Sequence, residues 1–229
     1  TGTVPSGFTA GIEGENRGTI TLGDSSAGLY GINGARLLNK GSISAGNTSI
    51  GMSGKGTGST LRNEGNITVG QGSEGIYGSE SADITNTGSI TGVSTNGTGI
   101  YADSTSLMTV NNSGTIDMQG NDSMGIYVKG TGLKTITNTG TVKTGNSSDV
   151  SAPGGGIYSA NAGDIITNSG TVEAGVSSVG IYSKAGTVNQ SNRINTGSNG
   201  TGIYADGTTV NLSTGSTLNV GDNNGVGVY

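Results

Sequence analysis

Two short sequence markers alternate along this chain of 229 residues, each recurring about nine times at intervals of roughly 24 residues. The first marker is a glycine, an aliphatic residue and a tyrosine, and it holds all eight tyrosines of the chain. Its copies are Gly28–Tyr30, Gly75–Tyr77, Gly99–Tyr101, Gly125–Tyr127, Gly156–Tyr158, Gly180–Tyr182, Gly202–Tyr204 and Gly227–Tyr229. A degenerate copy, Gly51–Ser53, has serine in the tyrosine position. A repeat of this length is typical of units that stack on one another.

The second marker is Asn-x-Gly-x-Ile/Val. Its copies are Asn16–Ile20, Asn39–Ile43, Asn63–Ile67, Asn86–Ile90, Asn112–Ile116, Asn138–Val142 and Asn168–Val172. In a later copy Gln190 replaces the asparagine and Asn192 replaces the glycine. Because asparagine tolerates a left-handed backbone better than most residues, we interpret Asn192 as occupying such a conformation. Near the amino end the first marker is ambiguous, and we favour Gly7-Phe8 over Gly11-Ile12.

Hydrophobic and polar residues alternate within each copy as they do in β-strands. Ile67, Thr68 and Val69 are an example, with the polar residue between two aliphatic ones. A further short stretch precedes each asparagine and carries one aliphatic residue, such as Leu61 or Ile84. No segment with helical periodicity lies between these stretches. We therefore predict an all-β chain, a right-handed single-stranded parallel β-helix (β-solenoid) of about nine coils over residues 1–229.

The composition narrows the possible functions. Glycine accounts for 47 residues and charged residues for only 11%, yet the aliphatic residues recur at fixed places, which argues against disorder. A net charge of −5 without a basic run argues against nucleic-acid binding. The chain has no cysteine or histidine, and we predict neither a metal site nor a cofactor. No apolar run approaches the length of a transmembrane helix.

The asparagines of the second marker are predicted to form a structural ladder. Stacked asparagine side chains can hydrogen-bond along the axis of a solenoid. The glycine two residues later would supply either a positive φ or a close backbone approach. The predicted ladder comprises Asn39, Asn63, Asn86, Asn112, Asn138 and Asn168.

The tyrosines are the first candidate binding surface. If the aliphatic residue of Gly-Ile-Tyr points inward, alternation points the tyrosine outward. The rings would then stack as an aromatic stripe, which serves either as a binding surface for a sugar or protein or as a stabilising cross-strand ladder. The stripe comprises Tyr77, Tyr101, Tyr127, Tyr158, Tyr182 and Tyr204.

Two further candidates are a loop and a row of charges. The stretch between the second marker and the next first marker is longer in the copy that contains residues 146–155 than in the other copies. It is predicted to form a protruding loop, with Asn146, Asp149 and Pro153 as candidate contacts. Asp117, Lys143 and Glu173 occupy one outward position in three successive copies, which is typical of an ion-pair ladder.

The combination of Gly-Ile-Tyr and Ile-Thr-Asn-x-Gly-x-Ile at this interval resembles the passenger repeats of type V autotransporters. The closest likeness is to the large outer-membrane adhesins of fusobacteria, and it covers the chain from about Phe8 to Tyr229. The resemblance implies an internal fragment of a longer protein, which would have a signal peptide before it and a membrane β-barrel after it. It also implies exposure on the bacterial cell surface and a role in virulence. No catalytic motif is carried over from this family.

From these features we predict a monomeric passenger segment that acts as an adhesin stalk, is not an enzyme, and binds a host or bacterial cell-surface protein or glycan. One alternative is a β-helical protein that binds or degrades polysaccharides. Its candidate carboxylates, Asp103 and Asp206, share a position in the repeat but lie about four coils apart. Another alternative is a structural solenoid of a phage tail or surface layer, for which a trimer would be expected.

Overall fold

The structure is a computed structural model that describes residues 12–148 and 154–229. These residues form 27 β-strands and no helix. Each full coil contributes one strand to each of three sheets, and every sheet has nine strands. No helix long and apolar enough to cross a membrane is found in the described part of the chain.

Sheet 1 consists of the strands that end at or near the asparagine of the second marker. They are β1 (Gly14–Asn16), β4 (Arg36–Asn39), β7 (Thr60–Asn63), β10 (Asp83–Asn86), β13 (Met108–Asn112), β16 (Lys134–Asn138), β19 (Ile165–Asn168), β22 (Thr187–Gln190) and β25 (Thr209–Leu212).

Sheet 2 follows after a short bend and contains the aliphatic residue of the second marker. Its strands are β2 (Thr19–Thr21), β5 (Ser42–Ala45), β8 (Asn66–Val69), β11 (Ser89–Gly92), β14 (Thr115–Met118), β17 (Thr141–Thr144), β20 (Thr171–Ala174), β23 (Arg193–Thr196) and β26 (Thr217–Val220).

Sheet 3 carries the first marker and has the longest strands. They are β3 (Ala27–Ile32), β6 (Ile50–Lys55), β9 (Glu74–Ser79), β12 (Thr98–Asp103), β15 (Met124–Lys129), β18 (Gly155–Ser159), β21 (Val179–Lys184), β24 (Thr201–Asp206) and β27 (Val226–Val228).

Every strand pairs in parallel with the equivalent strand of the next coil. The register aligns equivalent repeat positions, so that Ile90 pairs with Ile116 and Tyr101 with Tyr127. The predicted all-β architecture, a single-stranded parallel β-helix of about nine coils, is confirmed.

Columns of aliphatic side chains fill the interior. Sheet 2 supplies residues such as Ile67, sheet 3 supplies residues such as Ile100, and sheet 1 supplies residues such as Ile136, all of which are fully buried. Each side chain packs against its equivalents in the coils before and after it, and the columns form one continuous core. Burial of aliphatic area, at about 1.5–3 kcal/mol per large side chain, therefore couples each coil to its neighbours.

The marker glycines lie where successive coils approach most closely. A Cβ on Gly65 would lie 2.0 Å from the carbonyl oxygen of Gly41, and a Cβ on Gly99 would lie 2.6 Å from that of Gly125. Close approach therefore requires glycine in both markers. The alternative of a positive φ is wrong for the complete copies of the second marker, whose glycines from Gly18 to Gly170 do not have that conformation. Asn192 does not have it either; instead its Nδ2 donates a hydrogen bond to the Ser169 carbonyl, at 3.0 Å. A last copy, which has drifted and lies near Gly215 and Leu218, does have a positive φ of 87° at Gly215.

Left-handed residues do occur at the bend between sheets 2 and 3. One stands at the equivalent place in most coils, including Thr48, Asn96, Asp122, Ser177 and Asn199. Small polar residues and glycine adopt this conformation at the least cost, which explains the Asn-, Ser- and Gly-rich composition of the bend. The ambiguous marker copies at Gly7-Phe8 and Gly11-Ile12 lie partly or wholly outside the described residues.

Candidate interaction surface on the tyrosine face

The tyrosines of sheet 3 form a continuous column of rings on the outside of the solenoid. From Tyr77 to Tyr229, centroids of successive rings lie 4.2–5.4 Å apart. Most pairs are stacked, whereas Tyr77–Tyr101 is tilted by 54° and Tyr127–Tyr158 by 71°. The parallel register imposes this spacing, because equivalent residues of neighbouring strands lie about 4.8 Å apart.

The rings of this column from Tyr77 to Tyr204 are half-buried. Tyr77, Tyr101, Tyr127, Tyr158, Tyr182 and Tyr204 all have intermediate exposure. The residue before each of these tyrosines is a buried isoleucine, so the tyrosines point outward. The geometry fits a stabilising ladder, and it also leaves the ring edges and hydroxyl groups accessible to a partner.

A lysine lies against the middle of the column. Lys129 Nζ stands 5.2 Å from the centroid of the Tyr101 ring and 3.4 Å from Asp103 Oδ2. Its hydrogen bond with Tyr101 raises the pKa of Lys129, and burial raises the pKa of Tyr101. Burial also raises the pKa of Tyr158 to about 12 and is the main cause of a raised pKa at Tyr182.

The column is interrupted at Ser53. Ser53 pairs with Tyr30 in the coil before it and with Tyr77 in the coil after it. Tyr30, in the terminal strand of sheet 3, is 64% exposed. A cleft of about 370 Å³ opens here, lined by Tyr30, Ser53, Lys55, Tyr77, Ser79, Glu80, Asp103 and Thr105.

The asparagines form a second column, on the inside of the solenoid. Asn112 Nδ2 donates to Asn138 Oδ1 at 2.8 Å, while Asn112 Oδ1 accepts from Asn86 Nδ2 at 2.8 Å. The same side-chain bond links Asn16, Asn39, Asn63, Asn86, Asn112, Asn138, Asn168 and Gln190 in sequence. These side chains are buried, so the column holds coils together and presents no surface to a ligand.

The charged row on sheet 2 is an ion-pair ladder over part of its length. Lys143 Nζ lies 3.0 Å from Glu173 Oε2, and Arg193 lies 3.8 Å from Glu173 Oε1. Asp117 pairs in register with Lys143, and Asp117 Oδ1 accepts a hydrogen bond from Gln119 Nε2. These groups are partly exposed, so each pair contributes about 0–1 kcal/mol.

The predicted protruding loop begins and ends inside the regular coil. Asn146 Oδ1 accepts a hydrogen bond from the Val176 amide, and the Asn146 carbonyl accepts one from the Asp122 amide, both at 2.8 Å. Gly155 is the first residue of β18 and pairs with Met124 and Val179. Asn146 is therefore part of the stacked bend, whereas Asp149 and Pro153 lie outside the described residues.

A buried charged cluster at the bend between sheets 3 and 1 was missed by the sequence patterns. Lys134 is 1% exposed, and its Nζ donates to the carbonyls of Ser104, Gly130 and Gly132 at 2.6–2.8 Å. In the next coil the buried Asp164 carboxylate accepts from the Lys134 amide at 2.7 Å and from Ser159 Oγ at 2.6 Å. Burial lowers the pKa of Lys134. The cluster satisfies the polar backbone of two neighbouring bends.

The carboxylates considered for glycan chemistry stand in separate coils. Asp103 lies in β12 and Asp206 in β24, four coils further on, which corresponds to roughly 19 Å along the axis. That separation exceeds the 5–10 Å typical of paired glycosidase carboxylates. In the described ranges, no group of three or more acidic residues is arranged to hold a metal ion.

Comparisons with protein-family models, with curated proteins and with solved structures each gave no match to this chain.

Proposed function

We propose that this chain is a segment of an autotransporter passenger, exposed on a bacterial cell surface, which acts as an adhesin stalk and offers its tyrosine face to partners. The observation that supports the stalk role best is the unbroken stacking of three nine-stranded sheets around one core. A solenoid whose coils contact only their neighbours extends by adding coils, and this suits it to span a distance from a surface.

The tyrosine face is the part of the rod best suited to meet a partner. Tyrosine offers a large apolar ring and a polar hydroxyl, and it is enriched where proteins bind one another. The column from Tyr77 to Tyr229 presents such rings along most of one side. The asparagine column, the Lys134 cluster and the aliphatic columns are buried and therefore support the rod only.

Adhesion is tested by labelling the purified chain with a fluorophore and measuring its binding to epithelial cells and to other bacteria. A tyrosine-face variant carries Tyr127→Glu and Tyr182→Glu. A matched control carries Thr21→Glu and Thr68→Glu on the exposed face of sheet 2, with the same change of charge. We expect binding to fall in the first variant and to persist in the second. If the parent chain binds neither cell type, only the stalk role remains.

Surface exposure is tested separately with antibodies raised against this chain. Intact cells of the source organism should be labelled, and brief protease treatment of those cells should remove the label. Labelling only after the cells are permeabilised would contradict the proposed location. Light scattering of the purified chain should give a monomer, whereas a trimer would favour a phage-tail solenoid.

A further inference from the structure

Ser53 carries no ring at its position in the column, and the cleft of about 370 Å³ opens beside it. Ser53 itself is only 6% exposed, so the side chains of the cleft wall cover it. Tyr30, Ser53 and Tyr77 occupy equivalent positions in three successive coils. Two strand spacings, roughly 9.5 Å, therefore separate the positions of Tyr30 and Tyr77. In the rest of the column a single phenol ring fills the same interval, with centroids 4.2–5.4 Å from its neighbours.

A lysine stands in the same place relative to Ser53 as it does relative to Tyr127, a position of the column that holds a ring. Lys55 follows Ser53 by two residues, as Lys129 follows Tyr127, and the register places Lys55 and Lys129 in one column. Lys129 lies over the ring of Tyr101 in the preceding coil. Lys55 Nζ lies 3.3 Å from Glu80 Oε1, and both side chains are more than half exposed.

The charges at the cleft balance one another. Lys55 is paired with Glu80, and Asp103 is paired with Lys129. A neutral ring therefore meets two aromatic faces beside an ion pair, without an excess of charge of either sign. By the register, Lys55 stands toward Tyr30, as Lys129 stands over Tyr101. The volume of about 370 Å³ lies within the usual range of small-ligand sites, about 300–1,000 Å³.

We infer that the cleft at Ser53 is a binding site for one aromatic side chain of a partner polypeptide, a tyrosine ring that inserts between Tyr30 and Tyr77 and completes the column. This inference deepens the proposed function, on which it rests for the presence of a partner. The ring would gain stacking on both faces, and its hydroxyl group would reach the exposed edge where Lys55 and Glu80 lie.

The probe is N-acetyltyrosinamide, titrated into the purified chain and followed by backbone amide chemical shifts. A single ring and its two amides should bind weakly, with Kd roughly in the millimolar range. Shifts should be confined to β3, β6 and β9. N-acetylleucinamide, which lacks a ring, should bind at least about tenfold more weakly.

Three variants count the sites. Ser53→Tyr fills the space from within and should abolish binding, while Thr68→Tyr adds the same side chain to sheet 2 and should leave one site. Tyr127→Ser opens an equivalent space between Tyr101 and Tyr158, beside Lys129, and should give two sites. Circular dichroism verifies that each variant is folded, and Ser53→Tyr remains decisive if Tyr127→Ser does not fold.

Binding that persists in Ser53→Tyr, equal binding of the leucine analogue, or no binding of the tyrosine probe would each overturn the inference. Methyl glucoside tests for a sugar site. If it binds the parent chain but not Ser53→Tyr, and the tyrosine probe does not bind the parent chain, the cleft is a sugar site and the inferred aromatic ligand is wrong. Since the titration uses no cells, its outcome is independent of whether the chain adheres to them.

Discussion

Gln190 and Leu212 occupy the same register position in β22 and β25, and the internal amide column ends between them. Gln190 Oε1 accepts a hydrogen bond from Asn168 Nδ2 at 2.8 Å. Gln190 is fully buried, and its Nε2 has no hydrogen-bond partner among the described residues. Leucine in the next coil has no acceptor to offer, so one buried donor is left unsatisfied, at a cost of about 1–3 kcal/mol.

Leu212→Asn should therefore stabilise the last coils. The new Oδ1 would lie one strand spacing beyond Gln190 Nε2 and accept its hydrogen bond, contributing about 1 kcal/mol. Leu212 is 50% exposed, so little apolar burial is lost. Amide hydrogen exchange in β22 and β25 measures the effect locally. Leu212→Ala is the matched control, because it removes the same side chain without adding an acceptor; equal protection in both variants would contradict the prediction.

Asn112→Ala should destabilise the rod at its centre. The substitution removes the donor to Asn138 and the acceptor for Asn86, and it leaves both partners buried. We expect a loss of roughly 2–4 kcal/mol in the free energy of unfolding. Asn219→Ala removes the comparable side-chain bond from Asn219 to Asn195, which is exposed, and should cost less than about 0.5 kcal/mol. Urea denaturation of both variants compares them directly.

Ile100→Asp tests the assignment of inward and outward positions. Ile100 is fully buried and pairs in register with Ile76 and Ile126. A carboxylate there has no partner, and we expect a loss of more than about 4 kcal/mol or failure to fold. Thr68→Asp lies on the exposed face of sheet 2 and should change stability by less than about 0.5 kcal/mol. Thermal unfolding of the pair settles the point, and similar losses would show that the assignment is wrong.

The sequence predicted the strands and the asparagine column because these depend on repeated residue types at fixed intervals. Alternation around Ile67 is enough to indicate a strand, and the recurring Asn-x-Gly indicates a shared bend. The explanation for Asn192 was wrong because asparagine suits a bend for two different reasons. Its backbone tolerates a left-handed conformation, and its side chain can hydrogen-bond to a neighbouring coil. Only the structure shows that Asn192 bonds to the coil before it.

The Lys134 cluster could not be predicted in the same way. The equivalent buried positions hold Ala82, Met108, Lys134 and Asp164 in successive coils, so no residue type repeats. A lone lysine in a polar stretch normally indicates an exposed side chain. Its burial depends on three backbone carbonyls that the bends of two coils bring together, and this arrangement leaves no pattern in the sequence.

Lys134→Met should be strongly destabilising even though methionine occupies the equivalent position one coil earlier. The substitution removes one donor from the carbonyls of Ser104, Gly130 and Gly132, of which Ser104 and Gly132 keep a second donor. It also leaves Asp164 without a nearby cation, and we expect a loss of about 3–5 kcal/mol. Adding Asp164→Asn removes the buried negative charge, so the double variant should be more stable than Lys134→Met alone. Urea denaturation of both single variants and the double variant gives the coupling energy. Additive losses would mean that the two charges act independently.

Alkaline pH should weaken the tyrosine column before it affects the aliphatic core. Burial raises the pKa of Tyr158 from 10.0 to about 12. Between these values the unfolded chain has lost the proton and the folded chain has kept it, so unfolding releases protons and becomes more favourable as pH rises. The stability contributed by Tyr158 is therefore complete below pH 10 and is lost as pH approaches 12.

Tyr158→Phe keeps the ring in the column and removes the ionisable group. Its free energy of unfolding, measured in urea at a series of pH values, should fall less steeply than that of the parent chain in this window. The raised pKa of Lys129 acts in the same direction, but it is common to both proteins and cancels in the comparison. Phenolate absorbance follows the ionisation of the tyrosines as pH rises. The part of this rise that occurs at the highest pH values should be smaller in Tyr158→Phe than in the parent chain. Parallel stability profiles for the two proteins would mean that the Tyr158 hydroxyl ionises in the column as readily as it does in the unfolded chain.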